Sequence, residues 1–123
     1  MLFEKLKTRN INIWNTYTKH EFADKLVSEE LSQRSFDYYI QQDYYYLLIY
    51  LDAIEKLAQF PNAKECFTPI IEGVRIELKH HTKSDTSDIN PSIATKNYTQ
   101  YLKNLINNGT YEELLIANSC FVY

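Results

Sequence analysis

Glycine and proline are nearly missing from this chain, with 2 and 3 respectively in 123 residues. Sandwiches and barrels turn at short intervals and need such residues at each turn, so their scarcity excludes an all-β architecture and favours long helices. Long apolar runs are missing too. Charges interrupt every apolar stretch, beginning with Met1-Leu2-Phe3-Glu4-Lys5-Leu6-Lys7, so neither a secretory leader nor a membrane span can be drawn and a cytoplasmic location is expected. Cysteine is limited to Cys66 and Cys120, expected as free thiols in a chain without a leader pattern. Positive charge is short as well: 13 Lys and Arg stand against 16 Asp and Glu, a net charge of −3, with the lysines scattered, which argues against nucleic acid as a partner. A glycine-rich phosphate loop, a Cys-x-x-Cys pair and a Gly-x-Ser-x-Gly elbow are all absent, which removes nucleotide, zinc and serine-hydrolase readings. No cofactor is expected.

What the chain does contain is 45% hydrophobic residues, 24% charged residues and 11 Tyr, an ordinary supply for one globular core. Its length bounds it to a single domain over residues 1–123. The apolar spacing predicts about five helices. An early stretch bears Leu2, Leu6, Ile13 and Trp14, with a break expected near Asn10; Phe22, Leu26 and Val27 continue the pattern to about Glu29; Ser32 is a candidate N-cap. From Gln33 to Gln59 neither Gly nor Pro occurs, and Phe36, Ile40, Asp43, Leu47, Tyr50, Ile54 and Leu57 recur at steps of three and four, which is one face of a long helix ending before Pro61. Asn62 and Glu65 have capping-box spacing for the next helix, in which Pro69 is expected to cause a kink or restart. Polar residues from Thr82 to Asp88 read as a loop. Asn90 and Pro91 read as N-cap and first residue of a helix ending at Asn107-Asn108-Gly109, and Thr110 with Glu113 forms a second capping box. The last helix meets no stop signal before Tyr123, which reads as a chain whose C-terminal part is missing.

Among the polar residues Asp43 is the most informative, because it takes a position that its stripe otherwise reserves for apolar side chains. A carboxylate on a buried face must be compensated by an internal partner or by a ligand. Tyr39, Tyr46 and Tyr50 lie one or two turns away on the same helix, so phenol rings surround the acid. Two readings remain open: a core Asp bonded to a hydroxyl or to a helix end, or an acid that fixes the N–H groups of a flat heterocycle stacked on those rings. Cys120 on the last helix is either packing or a nucleophile, and spacing does not decide between them. Cys66 reads as packing. Glu77-x-x-His80 has the spacing of half a di-iron carboxylate site, but His20, His80 and His81 are the only histidines and no second half exists, so no metal is expected and a solvated helix end is the simpler reading. His20 reads as a hydrogen-bonded structural residue rather than a haem ligand.

Taken together, Trp14, His20-Glu21-Phe22 and Phe36-x-x-Tyr39-Ile40-x-Gln42-Asp43-x-x-Tyr46-Leu47 resemble the TenA (thiaminase II) family. Glu77-x-x-x-His81, Tyr98-Thr99 after Pro91, and Cys120-Phe121-x-Tyr123 follow in the family's order, with a shortened loop between His81 and Pro91. The resemblance implies an all-α, haem-oxygenase-like helical bundle, commonly tetrameric, that hydrolyses the C–N bond of aminopyrimidines in thiamine salvage. By the same resemblance Asp43 binds the aminopyrimidine, Tyr46 lines or stacks on the ring, Tyr98 assists by hydrogen bonding, and Cys120 attacks the electron-poor ring. Two departures stand out. Ser119 precedes Cys120 where the family has Pro, and the family's later catalytic Glu has no counterpart here. The expectation is a TenA-like aminopyrimidine hydrolase with a small-molecule pyrimidine or thiamine-like ligand, no nucleic acid or membrane partner, and homo-oligomeric assembly. The alternative is a non-catalytic helical interaction module that oligomerises through an open face. In either case the long central helix has too few partners for a stable isolated monomer.

Overall fold

The computed structural model describes residues 1–81 and 90–119. Among them seven α-helices occur and no strand: α1 (Leu2–Arg9), α2 (Ile11–Thr18), α3 (Glu21–Val27), α4 (Gln33–Leu57), α5 (Lys64–His81), α6 (Ile93–Asn108) and α7 (Tyr111–Asn118). The chain divides into two compact units, Met1–Asp37 and Tyr38–Tyr123.

In the first unit the expected break falls at Asn10. Its side-chain Nδ2 donates to the Leu6 carbonyl at 2.8 Å, closing α1, and its own carbonyl accepts from Trp14 N–H at 2.9 Å to open α2. Trp14 meets Phe3 edge to face at 5.7 Å between ring centres, and the Lys7 ammonium sits 4.9 Å above the indole. His20 N-caps α3: Phe22 N–H donates to His20 Nδ1 at 3.1 Å, the structural role its isolation in the sequence implies. Ser32 likewise caps α4, accepting from Ser35 N–H at 3.2 Å.

The second unit holds the core. Tyr46, Leu47, Ile49, Tyr50, Ala53, Ile54 and Leu57 of α4 are buried against Phe67 and Val74 of α5, Leu102 of α6 and Leu114 of α7. The predicted stripe is therefore real from Leu47 onward, whereas Phe36 at its start is 38% exposed. Two helix starts differ from their sequence signals, and a third, expected at Pro69, does not occur. Asn62 has φ of 62°, in the left-handed region, so it cannot take the extended backbone of an N-cap; α5 begins instead at Lys64, after Ala63, and the Asn62/Glu65 capping box does not form. Pro69 lies inside α5, which is one helix from Lys64 to His81 rather than two. At α6 the cap is Ser92, whose Oγ accepts from Thr95 N–H at 3.1 Å, so Asn90 and Pro91 lie before the helix. The Thr110/Glu113 capping box forms in full, with both reciprocal bonds present at 3.2 and 2.9 Å. Gly109 before it is required by a close approach: a Cβ there would stand 2.7 Å from the Leu105 carbonyl oxygen.

Candidate functional site

The arrangement around Asp43 begins with helix periodicity. On α4, Tyr39, Asp43, Tyr46 and Tyr50 fall on one side because they recur at three- and four-residue steps. On α5, Glu77 and His81 are four apart and share a face that meets α4 at Asp43. The His81 side chain is 9% exposed and that of Asp43 is 21% exposed, and His81 Nε2–H donates to Asp43 Oδ2 at 3.2 Å. Asp43 is therefore inward and partnered, and one partner is a histidine on a neighbouring helix. Tyr44 meets the His81 ring edge to face, 6.2 Å between centres.

Burial raises the Asp43 pKa above the ordinary carboxylate value, the negative charge of Glu77 raises it further, and the charge and hydrogen bond of His81 work in the opposite direction. Tyr39 is pushed up as well, by burial first and then by the negative charges of Asp43 and Glu77, so its phenol keeps its proton throughout the neutral range. His81 thus works in favour of the ionised form of Asp43, against burial and Glu77. In His81→Phe the two lowering influences vanish, so any ligand binding that needs ionised Asp43 should be lost at a higher pH than in the wild-type chain. A pH series of binding isotherms checks this; an unmoved midpoint would show that His81 has no hold on the carboxylate.

The tyrosines make a second feature. Tyr46 is stacked with Tyr50 at 5.6 Å and with Tyr98 at 5.7 Å, both at 23° between planes. Tyr98 comes from α6, and its hydroxyl donates to the Ala117 carbonyl of α7 at 2.9 Å. This proton goes to the backbone, so Tyr98 ties the end of α7 to the stack. Tyr46 is buried at the middle of the row. The structure thus brings Asp43, Tyr46 and Tyr98 into one region formed by α4 and α6, with α5 supplying His81 and Glu77. Cys120 lies outside the described residues. Cys66 is a free thiol, and it is exposed rather than packed.

Sequence reasoning gave weight to Glu77-x-x-His80 and missed His81 as the partner of Asp43. His80 is exposed, whereas His81 is buried, four residues after the exposed Glu77 and close enough to Asp43 to meet it together with that carboxylate. That spacing was the available signal. Asp43, Glu77 and His81 place their potential ligand atoms within 4.8 Å of one another, a donor set that a divalent cation accepts. The 3.2 Å contact between His81 and Asp43 is nevertheless a complete hydrogen bond, in which a proton already offsets the carboxylate. Within the second unit a cleft of about 630 Å³ is lined by Phe60, Pro61, Cys66, Phe67, Tyr111 and Glu112. It lies past the C-terminal end of α4, and Asp43 does not line it.

A family model described as TENA/THI-4/PQQC matches residues 9–122, a span that includes both the Asp43 cluster and the tyrosine row. The chain is 27% identical over 118 residues to the hydroxymethylpyrimidine/phosphomethylpyrimidine kinase THI20 of Saccharomyces cerevisiae, covering 85% of this chain and 21% of that protein. It is 23% identical over 124 residues to the thiamine biosynthesis protein THI22 of the same yeast, covering 89% of this chain and 22% of that one. An uncharacterised protein of Haemophilus influenzae is 24% identical over 128 residues, covering 94% of this chain and 60% of its own. The chain therefore spans about a fifth of the length of these yeast relatives. No solved structure matches it.

Proposed function

This chain belongs to the TENA/THI-4/PQQC family, and on that premise we propose that it serves thiamine metabolism by binding an aminopyrimidine at Asp43 and hydrolysing a C–N bond of it. The all-α helical bundle is of that family's haem-oxygenase-like class. The observation that carries the reading is the half-buried Asp43 carboxylate beside a row of stacked tyrosines, an arrangement that pairs an acceptor for amidine-like N–H groups with aromatic faces. The pyrimidine in the name of the yeast relative THI20 agrees with that ligand class. Its kinase chemistry is not carried over, since two glycines cannot build a phosphate-cradling loop.

In this reading Asp43 holds the ring and draws electron density from it, and Tyr46 lines the site from within its stack with Tyr50 and Tyr98. The Tyr98 hydroxyl, whose proton goes to the Ala117 carbonyl, assists by accepting a hydrogen bond, and Cys120 is the nucleophile. The thiol adds to the ring, the nitrogen leaving group departs, and attack by water returns the thiol. The test is the melting temperature of the full chain with and without hydroxymethylpyrimidine. A rise that saturates with ligand supports binding, and an unchanged value from a folded sample rejects it.

Self-association completes the proposal, because large apolar side chains stand open on several helices: Ile13 on α2, Ile76 on α5, Tyr101 on α6 and Ile116 on α7 are each more than half exposed. Sedimentation equilibrium should give a mass above that of one chain that rises with concentration, with a melting temperature that rises in parallel. A stable monomer at every concentration would remove this part of the reading.

A further inference from the structure

Gln42 has no part in the reading above, although it stands beside Asp43 in the segment that carries the sequence resemblance. Its side chain makes three hydrogen bonds to residues about fifty positions away. Oε1 accepts from Ser92 N–H at 2.8 Å and from the Thr95 hydroxyl at 2.7 Å, and Nε2 donates to the Asn90 carbonyl at 3.2 Å. The Thr95 hydroxyl has one proton and gives it to Gln42, so in the 2.9 Å contact between the Ser92 and Thr95 hydroxyls Ser92 is the donor. Ser92 Oγ meanwhile accepts from Thr95 N–H as the cap of α6. Both hydroxyl protons of the cluster are thereby assigned. Turning the amide over would set an N–H against the Ser92 N–H, and a carboxylate would set an oxygen against the Asn90 carbonyl. Only glutamine in this one orientation satisfies all three neighbours.

The placement gives the cluster a consequence. Tyr46 is one turn after Gln42 on α4, and Tyr98 is one turn after Thr95 on α6, so the Gln42–Thr95 bond and the Tyr46–Tyr98 stack are successive rungs between the same two helices. Offset stacking tolerates sliding of one ring over another, whereas a hydrogen bond weakens steeply with small displacements. The register of α6 on α4 is therefore set at the Gln42 rung and followed at the Tyr98 rung. From Tyr98 the hydroxyl bond to Ala117 carries it to the end of α7.

We propose that Gln42 is the positioning residue of the site: through Ser92 and Thr95 it fixes α6 against α4, and so places Tyr98 relative to Asp43. Its effect on ligand affinity rests on the pyrimidine reading; its effect on Tyr98 does not. The full chain is labelled with fluorotyrosine, the Tyr98 resonance is assigned by its disappearance in Tyr98→Phe, and hydroxymethylpyrimidine is titrated into each variant. Gln42→Glu should displace or split the Tyr98 resonance, and Thr95→Val, which keeps the side-chain shape and removes one bond, should do so to a smaller extent. Both should weaken pyrimidine binding, by about two- to tenfold for the loss of one hydrogen bond in Thr95→Val. Phe67→Leu, a buried substitution away from the cluster, should lower the melting temperature and leave the Tyr98 resonance in place. The proposal is overturned if Tyr98 keeps its wild-type resonance in both Gln42→Glu and Thr95→Val, or moves as far in Phe67→Leu. A displaced resonance together with no pyrimidine binding by the wild-type chain upholds the positioning role and rejects the pyrimidine reading.

Discussion

Asp43→Asn is expected to abolish most pyrimidine affinity while leaving the protein as stable as the wild type, or more so, at neutral pH. The two effects have separate causes. A carboxylate that binds amidine-like N–H groups contributes charge-assisted hydrogen bonds worth about 1.5–3 kcal/mol, so a neutral amide in its place should weaken binding by roughly ten- to a hundredfold. Stability moves otherwise because Asp43 has its pKa raised by burial and by Glu77. The folded state then holds the Asp43 proton more tightly than the unfolded state does. Between the ordinary carboxylate value and the raised folded value, folding takes up a proton, so stability falls as pH rises through that window and is regained on acidification. The amide side chain of the variant would carry no charge to desolvate and could still accept from His81, which removes this dependence. The check is a pair of melting curves against pH with parallel binding isotherms at pH 7. A variant that binds hydroxymethylpyrimidine as tightly as the wild type would remove Asp43 from the site; a variant strongly destabilised at neutral pH would show that its charge is structural.

Cys120→Ala should eliminate turnover and spare binding. If the thiol adds to the ring, its removal takes away the covalent route altogether, a loss on the order of a thousandfold or more, because a nucleophile acts as one unit with the groups around it. Ring recognition, in contrast, is assigned to Asp43 and to the stacked tyrosines, so hydroxymethylpyrimidine should bind Cys120→Ala and wild type alike. Release of the pyrimidine from thiamine, measured beside the dissociation constant, separates the roles. Equal loss of turnover and binding would make Cys120 a packing residue, and retained turnover would place the nucleophile elsewhere.

The two experiments address links of different strength. Membership of the family follows from a match across residues 9–122, and a role in thiamine metabolism is proposed from it, whereas hydrolysis depends on particular side chains and their placement. The exposed thiol of Cys66, on α5, lines the cleft formed by Phe60, Phe67 and Tyr111, which Asp43 does not line, so Cys66 is a suitable control: Cys66→Ala leaves the thiol proposed for catalysis untouched.

Local physics explains which parts of the fold could be read without coordinates. The break at Asn10, the Ser32 cap, the length of α4 and the Thr110/Glu113 box each depend on residues within one or two turns of one another, and these formed as their spacing predicts. The sequence signals failed at two helix starts. Asn62 had a capping residue's chemistry but was drawn into a left-handed turn, and Asn90-Pro91 looked like a helix start although Ser92 took the cap. At Ser92 the deciding group, Gln42, is fifty positions away in sequence.

The candidate site divides along the same line. Periodicity alone placed Asp43 among apolar positions on the inward face of α4, because a helix repeats its faces every three to four residues whatever surrounds it. Which group would compensate that acid was not a local matter. It took the packing of α5 to put His81 against Asp43, that of α6 to lay Tyr98 on Tyr46, and the Gln42 amide to hold α6 in register, since hydrogen bonds and ring stacks between helices depend on distances that only the assembled chain defines.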